Sequence, residues 1–233
     1  MKKHIPNALT SANLFCGCLG ILFVIRGEYE ITAYLTLAAA VFDFFDGFAA
    51  RMLKVKSDIG KELDSLADCV TFGVLPAFVL FKLLDGAPNL PFVYAQYSAF
   101  HIAVFSALRL AKFNVDTRQS ESFIGVPTPA NALLWVSLPF LIAKNNFLSG
   151  LVAEPIFLLL LSVIMSFLMN AELPLLALKF KNFSVRENIW RYLLVLIAAG
   201  IVSVWGFAGI SFAVVAYVLL SIFSNLFSKN TIQ

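Results

Sequence analysis

The sequence predicts an all-α fold, a polytopic transmembrane helical bundle, and three observations carry that reading. Hydrophobic residues make up 60% of the 233 and charged residues 13%, against roughly 45–50% and ~25% in a soluble domain. The apolar runs approach the ~20 residues that a helix needs to cross the hydrocarbon. They also lack the two-residue alternation of a lipid-facing barrel strand. One domain is expected over 1–233. The basic leader MKKHIPN has no small-residue cleavage site behind it, so it is expected to stay attached.

Taken in order, the chain gives about eight spans. The first begins at a cap residue, Thr10 or Ser11, and runs to about residue 25. The second covers about 31–53 and the third about 59–84, closed by a turn at 85–91 that contains Gly and Pro. The fourth, about 92–112, leads into the longest polar connection, 114–129. The fifth, about 130–143, is short, and without it six or seven spans remain. The sixth covers about 150–169, and the last two, about 189–204 and 210–227, are hinged at Gly206 and Gly209. Unequal loops and the lack of an internal repeat speak against an inverted-repeat transporter.

Basic residues set the expected orientation. Lys2, Lys3, Arg51, Lys54, Lys56, Lys61, Arg109, Lys112, Arg118, Lys179, Lys181, Arg186, Arg191 and Lys229 fall on one side, and only Arg26, Lys82 and Lys144 on the other. The positive-inside rule then places both termini and the turn after the second span on the cytoplasmic face of the cytoplasmic membrane. A net charge of +3 is modest, and no nucleic-acid partner is expected. Cys16, Cys18 and Cys69 lie in apolar runs with neither zinc spacing nor a disulfide framework, and read as small core residues.

The chemistry concentrates between Asp43 and Asp68. Asp43 and Asp46 are three residues apart and Asp64 and Asp68 four apart, so each pair projects from one face of its helix. Two helices joined by a short basic turn bring all four together. Four ionised carboxylates at a membrane edge repel one another until some are protonated or a multivalent cation sits among them, and the cation is the preferred reading. Oxygen ligands without nearby His or Cys suit Mg²⁺ or Mn²⁺ and argue against zinc. Gly47 and Ala50 continue the acidic face with small side chains. Such residues either pack helices or let a ligand approach the backbone, and the adjacent Arg51, whose guanidinium fork suits phosphate, favours the ligand. Gly60, Asp64, Asp68 and Thr71 form a polar stripe on the third span. Two cations there would clamp a pyrophosphate, and a carboxylate would take the proton of an incoming hydroxyl. Isolated intramembrane Asp residues equally suit a proton or cation pathway; the tight spacing beside a basic turn favours phosphate chemistry on a lipid.

As a pattern the stretch reads D-x-x-D-G-x-x-A-R-x8-G-x3-D-x3-D. It resembles the signature of the CDP-alcohol phosphotransferase family at Asp43, Asp46, Gly47, Ala50, Arg51, Gly60, Asp64 and Asp68. The resemblance implies a helical membrane enzyme, usually dimeric, in which an alcohol displaces CMP from a CDP-linked lipid. It implies that Asp43, Asp46, Asp64 and Asp68 bind two divalent cations, Mg²⁺ or Mn²⁺, and that Asp68 also serves as base toward the acceptor. Gly47, Arg51 and Ser57 would help hold the CDP portion, with Ala50 and Gly60 beside them. HIPNALTSAN near the start, ALRLAKFNV at 107–115 and FIGVPTPAN at 123–131 resemble the serine-using branch of the family. CDP-diacylglycerol and L-serine are therefore the expected substrates, and the resemblance covers the chain to about residue 135, the expected catalytic part. The spanning helices of 136–233 read as scaffold, lipid contact or the surface of a homodimer.

Serine brings a carboxylate into a pocket that already holds anions, so fixed cations are needed to orient it. Arg109 is the first choice, with Lys112 and Asn114 beside it at the cytoplasmic end of the fourth span. Positive-inside anchoring explains the basic residues equally well. The run Gly125-Val126-Pro127-Thr128-Pro129 is stiff enough to fix a loop over the pocket, or to form the entry to the fifth helix. His4 and His101 belong to no constellation. Other acceptors, glycerol 3-phosphate or inositol phosphate, would call for a denser basic cluster, and a cation-coupled transporter is the rival from another class.

Overall fold

The computed structural model describes residues 4–55, 57–116, 123–144, 146–176 and 184–229. Of the basic residues that set the expected orientation, Lys2, Lys3, Lys56, Arg118, Lys179 and Lys181 lie outside the described residues, as do the side chains of Arg186 and Lys229.

The fold is all-α. Helix α1 (His4–Ile25) and α2 (Tyr29–Met52) are followed by α3 (Asp58–Asp68), which continues through a π-helical turn, Cys69–Val74, into α4 (Leu75–Asp85). A 3₁₀ turn, Ala95–Phe100, leads into α5 (His101–Val115), and α6 (Thr128–Ile142), α7 (Phe147–Ala153), α8 (Pro155–Asn170), α9 (Val185–Trp205) and α10 (Gly209–Lys229) complete the chain. Two-residue strands β1 (Phe123–Ile124) and β2 (Pro174–Leu175) pair antiparallel.

Four stretches are long and apolar enough to cross a bilayer: His4–Ile25, Tyr29–Met52, Asp58–Asp85 and Asn188–Leu226. A fifth is added if α7 and α8, bent by 70°, form one span. The protein is an integral membrane protein, but about eight spans are not recovered by length and composition. The regular part of α5 and the whole of α6 are each 15 residues, or about 23 Å. Tyr94, at φ 67°, and the 3₁₀ turn interrupt the start expected for the fourth span. The expected sixth span is broken at Glu154-Pro155, because proline lacks the N–H of a continuing helix and drives Glu154 to φ −62°, ψ 127°. The expected Gly206 hinge is present. Gly206 sits at φ 60°, and a Cβ on Gly209 would come within 2.8 Å of the Ile201 carbonyl oxygen. In a continuous helix those residues would be about 12 Å apart, so α10 folds back on α9.

The largest core surrounds α6. Leu134, Trp135 and Leu138 pack with Leu80 and Leu84 of α4, Ile102 of α5, Leu158 and Met165 of α8, and Val214 and Val218 of α10. A helix apolar on all sides belongs in such a central place, and the Trp135 indole N–H is satisfied by Asn131 Oδ1 at 3.1 Å.

Helix α1 starts at His4, a full turn and more before the expected cap, with Pro6 in the first turn where no N–H is needed. Its small residues let it lie close to the α3–α4 helix. A Cβ on Gly17 would overlap the Thr71 hydroxyl, which donates to the Asn13 carbonyl at 3.1 Å. A Cβ on Gly60 would come to 2.9 Å from Asn7 Oδ1.

Candidate active site

The turn between α2 and α3 fixes the first half of the site. Val55 N–H reaches back to the Ala50 carbonyl at 3.1 Å and Lys54 N–H to Arg51 at 3.2 Å, which satisfies the carbonyls left open at the end of α2. Lys54 takes the left-handed conformation there, at φ 52°. Ser57 then caps α3, its hydroxyl accepting from the Gly60 N–H at 3.1 Å.

With α2 and α3 so joined, Asp43, Asp64 and Asp68 each offer a carboxylate oxygen, and the three oxygens lie within 4.8 Å of one another. Asp64 Oδ1 is buried without a hydrogen-bond partner. Three converging carboxylates with an orphaned oxygen fit a hard divalent cation. The fourth aspartate is not one of these three. Asp46 is 6% exposed, and its Oδ2 accepts from the Thr10 hydroxyl at 2.6 Å.

Helix α1 supplies two residues that the sequence reading did not place in the site. Thr10 anchors Asp46, and Asn13, fully buried, donates from Nδ2 to Asp68 Oδ1 at 3.1 Å. The signal was the spacing of Asn7, Thr10, Asn13 and Gly17, a polar and small stripe on an otherwise apolar helix.

A cleft of about 380 Å³ opens beside the carboxylates. Gly47, Ala50, Ser57 and Gly60 all line it, with Asp46, Asp64, Asn7 and Lys61. Arg51 is exposed, and its Nη1 would lie 3.8 Å from a Cβ on Gly47, so the guanidinium sits over the glycine at the edge of the cleft.

The residues expected to hold the acceptor carboxylate separate. Arg109 is 7% exposed, too deeply placed for a residue that only anchors a helix end in water, and its Nε has no hydrogen-bond partner. Asp68 and Tyr217 of α10 are titratable groups in its neighbourhood. Arg109 and the exposed Lys112 line a second cavity of about 300 Å³, between the end of α5 and the α8–β2 junction. Asn114 is occupied elsewhere. Its Nδ2 donates to Ser65 Oγ at 2.8 Å and its carbonyl accepts from Lys61 Nζ at 2.9 Å, which ties α5 to α3.

The stiff glycine–proline run is pinned beside that second cavity. Gly125 N–H donates to the Leu173 carbonyl at 2.9 Å and Val126 N–H to Leu168 at 3.0 Å. Gly125 has φ 72°, and any Cβ there would overlap the Met169 carbonyl, so only glycine fits. Ile124 lines the cavity wall. Farther on, Thr128 Oγ1 and Asn131 Nδ2 are buried without partners.

Apolar helices long enough to span a bilayer, with clustered aspartates beside a cleft, fit a membrane phosphotransferase, and the chain belongs to the CDP-alcohol phosphatidyltransferase family, which it matches over residues 3–176. That match runs past residue 135, through α8 to β2. Among its relatives the chain is similar to the CDP-diacylglycerol–serine O-phosphatidyltransferase of Helicobacter pylori, with 32% identity over 225 residues that cover 95% of this chain and 91% of the relative. The enzyme of that name from Bacillus subtilis is 36% identical over 138 residues, 59% of this chain and 76% of the relative. The one from Methanocaldococcus jannaschii is 37% identical over 158 residues, 68% and 71%.

Proposed function

We propose that this protein transfers the phosphatidyl group of CDP-diacylglycerol to the hydroxyl of L-serine, giving phosphatidylserine and CMP in phospholipid biosynthesis. The observation that carries this is the convergence of Asp43, Asp64 and Asp68 beside the cleft, in a chain similar over most of its length to serine phosphatidyltransferases.

In the transfer, the serine oxygen bonds to the phosphorus that bears diacylglycerol, and the bond from that phosphorus to the bridging oxygen of CMP breaks. The hydroxyl proton passes to Asp68. The Asn13 amide donates to Asp68 Oδ1 and so fixes the orientation of that carboxylate. Asp43, Asp64 and Asp68 would hold one divalent cation, with Asp46 at the edge of a second, and bound Mg²⁺ or Mn²⁺ would neutralise the diphosphate and stabilise departing CMP. Gly47, Ala50, Ser57 and Gly60 leave room for the CDP portion, and Arg51 reaches its phosphates. Arg109 takes the serine carboxylate.

The same reading puts the cleft and both termini at the cytoplasmic face. It counts α9 and α10 as two spans, the broken α7–α8 pair as one, and the protein as a homodimer. In the test, purified protein receives CDP-diacylglycerol and Mn²⁺ or Mg²⁺ with labelled serine, glycerol 3-phosphate or inositol phosphate in parallel. Labelled lipid with serine alone, matched by CMP release, is the expected result. Labelled lipid with a phosphate-bearing acceptor, or vesicle accumulation without CMP release, overturns the assignment.

A further inference from the structure

Among the described residues that line the carboxylate cleft, Lys61 alone is basic, and its charged companions there are Asp46, Asp58 and Asp64. Arg51 stands only at the edge. An anionic donor that enters so acidic a space needs a cation to meet it. Lys61 shares one face of α3 with Asp64 and Asp68, three and seven residues further on. It is exposed, so no packing holds its side chain in one place.

The Lys61 ammonium has three donors, and the bond it makes is to a neutral acceptor, the Asn114 carbonyl of α5 at 2.9 Å. Among the described residues no carboxylate forms an ion pair with it. A tie between α3 and α5 does not call for that charge, because Asn114 Nδ2 already donates to Ser65 Oγ at 2.8 Å. Helix stability does not call for it either. Lys61 lies in the first turn of α3, where a cation opposes the helix dipole. A lysine on its flexible four-carbon stem can exchange a carbonyl for an anion that the cleft admits.

We propose that Lys61 binds the diphosphate of the donor: its ammonium leaves the Asn114 carbonyl and pairs with a phosphate oxygen, while Arg51 meets the diphosphate from the edge of the cleft. The proposal rests on a CDP-linked donor occupying this cleft, and it adds to that reading a cation from α3 that acts from the cleft lining. A charge-assisted bond to phosphate is stronger than the bond to a neutral carbonyl that it replaces. The Asn114–Ser65 bond keeps α3 tied to α5 when the lysine moves.

The test uses the full-length purified protein with Mg²⁺, and the probes are CDP and cytidine, which differ by the diphosphate. Their dissociation constants are measured by calorimetry. Lys61→Ala should weaken CDP about tenfold or more, the loss of a hydrogen bond between charged groups, and leave cytidine within about twofold. Lys61→Arg keeps the charge and should hold CDP within about threefold of the parent. Ser65→Ala removes the other tie between α3 and α5 and should leave CDP within about twofold. A lysine that only joins the two helices would instead weaken CDP and cytidine alike, and Ser65→Ala would follow Lys61→Ala. Either of those results, unchanged CDP binding in Lys61→Ala, or a loss in Lys61→Arg as large as that in Lys61→Ala overturns the proposal. If the parent protein binds neither probe, the functional reading beneath it fails first, and that appears in the parent without any variant.

Discussion

The carboxylate cleft is assembled from three helices that follow one another in the chain, and most of its polar atoms are matched: Thr10 to Asp46, Asn13 to Asp68, Ser57 to the Gly60 N–H. The cavity at the end of α5 is lined by residues far apart in sequence, Arg109 of α5 and Asn170 of α8, and lies beside the pinned Gly125 and the β1–β2 pair. Internal hydrogen bonds make the first a fixed frame, with Asp64 Oδ1 and Asn13 Oδ1 left without partners. The walls of the second come from separate parts of the chain. Preorganisation belongs where charge develops during the reaction.

Breaking each region should therefore give a different kinetic signature. The largest effect is expected from Asp68→Asn, which removes the proton acceptor from the fixed frame. CMP release should fall by about a hundredfold to ten-thousandfold, while binding of CDP-diacylglycerol to the purified variant changes only a few-fold. Near-normal turnover in that variant would move the base elsewhere. Next comes Arg109→Ala, in the second cavity. It should raise the serine KM by about ten- to a hundredfold, as loss of a charged hydrogen-bond partner does, with the CDP-diacylglycerol KM almost unchanged. An unaltered serine KM would separate the two regions.

Smaller effects concern the frame itself. Gly17→Val places a branched side chain where even a Cβ overlaps Thr71, and should cost about 1–3 kcal/mol by forcing α1 away from the π turn. A lowered thermal midpoint in detergent, together with reduced turnover, is the expected outcome. Lys54→Gly should do the reverse on a smaller scale. It relieves a left-handed non-glycine residue at φ 52° and should stabilise the turn by up to about 1 kcal/mol, with activity retained.

The carboxylates of the cleft were legible in the sequence because they sit on two consecutive helices at helical spacing, so Asp43, Asp64 and Asp68 could be brought together before any coordinates. Asp46 was expected in the same metal group, and spacing alone gave no hint that the Thr10 hydroxyl holds it. Thr10 and Asn13 were missed as site residues because a cap reading for Thr10 placed the helix start too late. The broken α7–α8 pair had a local signal, Glu154-Pro155, that the apolar run around it outweighed. The π turn at Cys69–Val74 had none, because its hydrogen-bond shift depends on packing against α1 and α5. Asn170 reads in the sequence as a polar residue at a helix end, and only the packing of α8 on α5, where its Nδ2 donates to the Phe105 carbonyl, brings it to the cavity that Arg109 lines.

Mn²⁺ binding, followed by electron paramagnetic resonance on the full-length protein in lipid nanodiscs, tests the carboxylate trio most directly. The parent protein with CDP-diacylglycerol is expected to bind two ions per chain, and Asp64→Asn to lose at least one of them while keeping its helical fold. Equal Mn²⁺ binding by parent and Asp64→Asn, or none by the parent, would contradict a metal centre built from Asp43, Asp64 and Asp68.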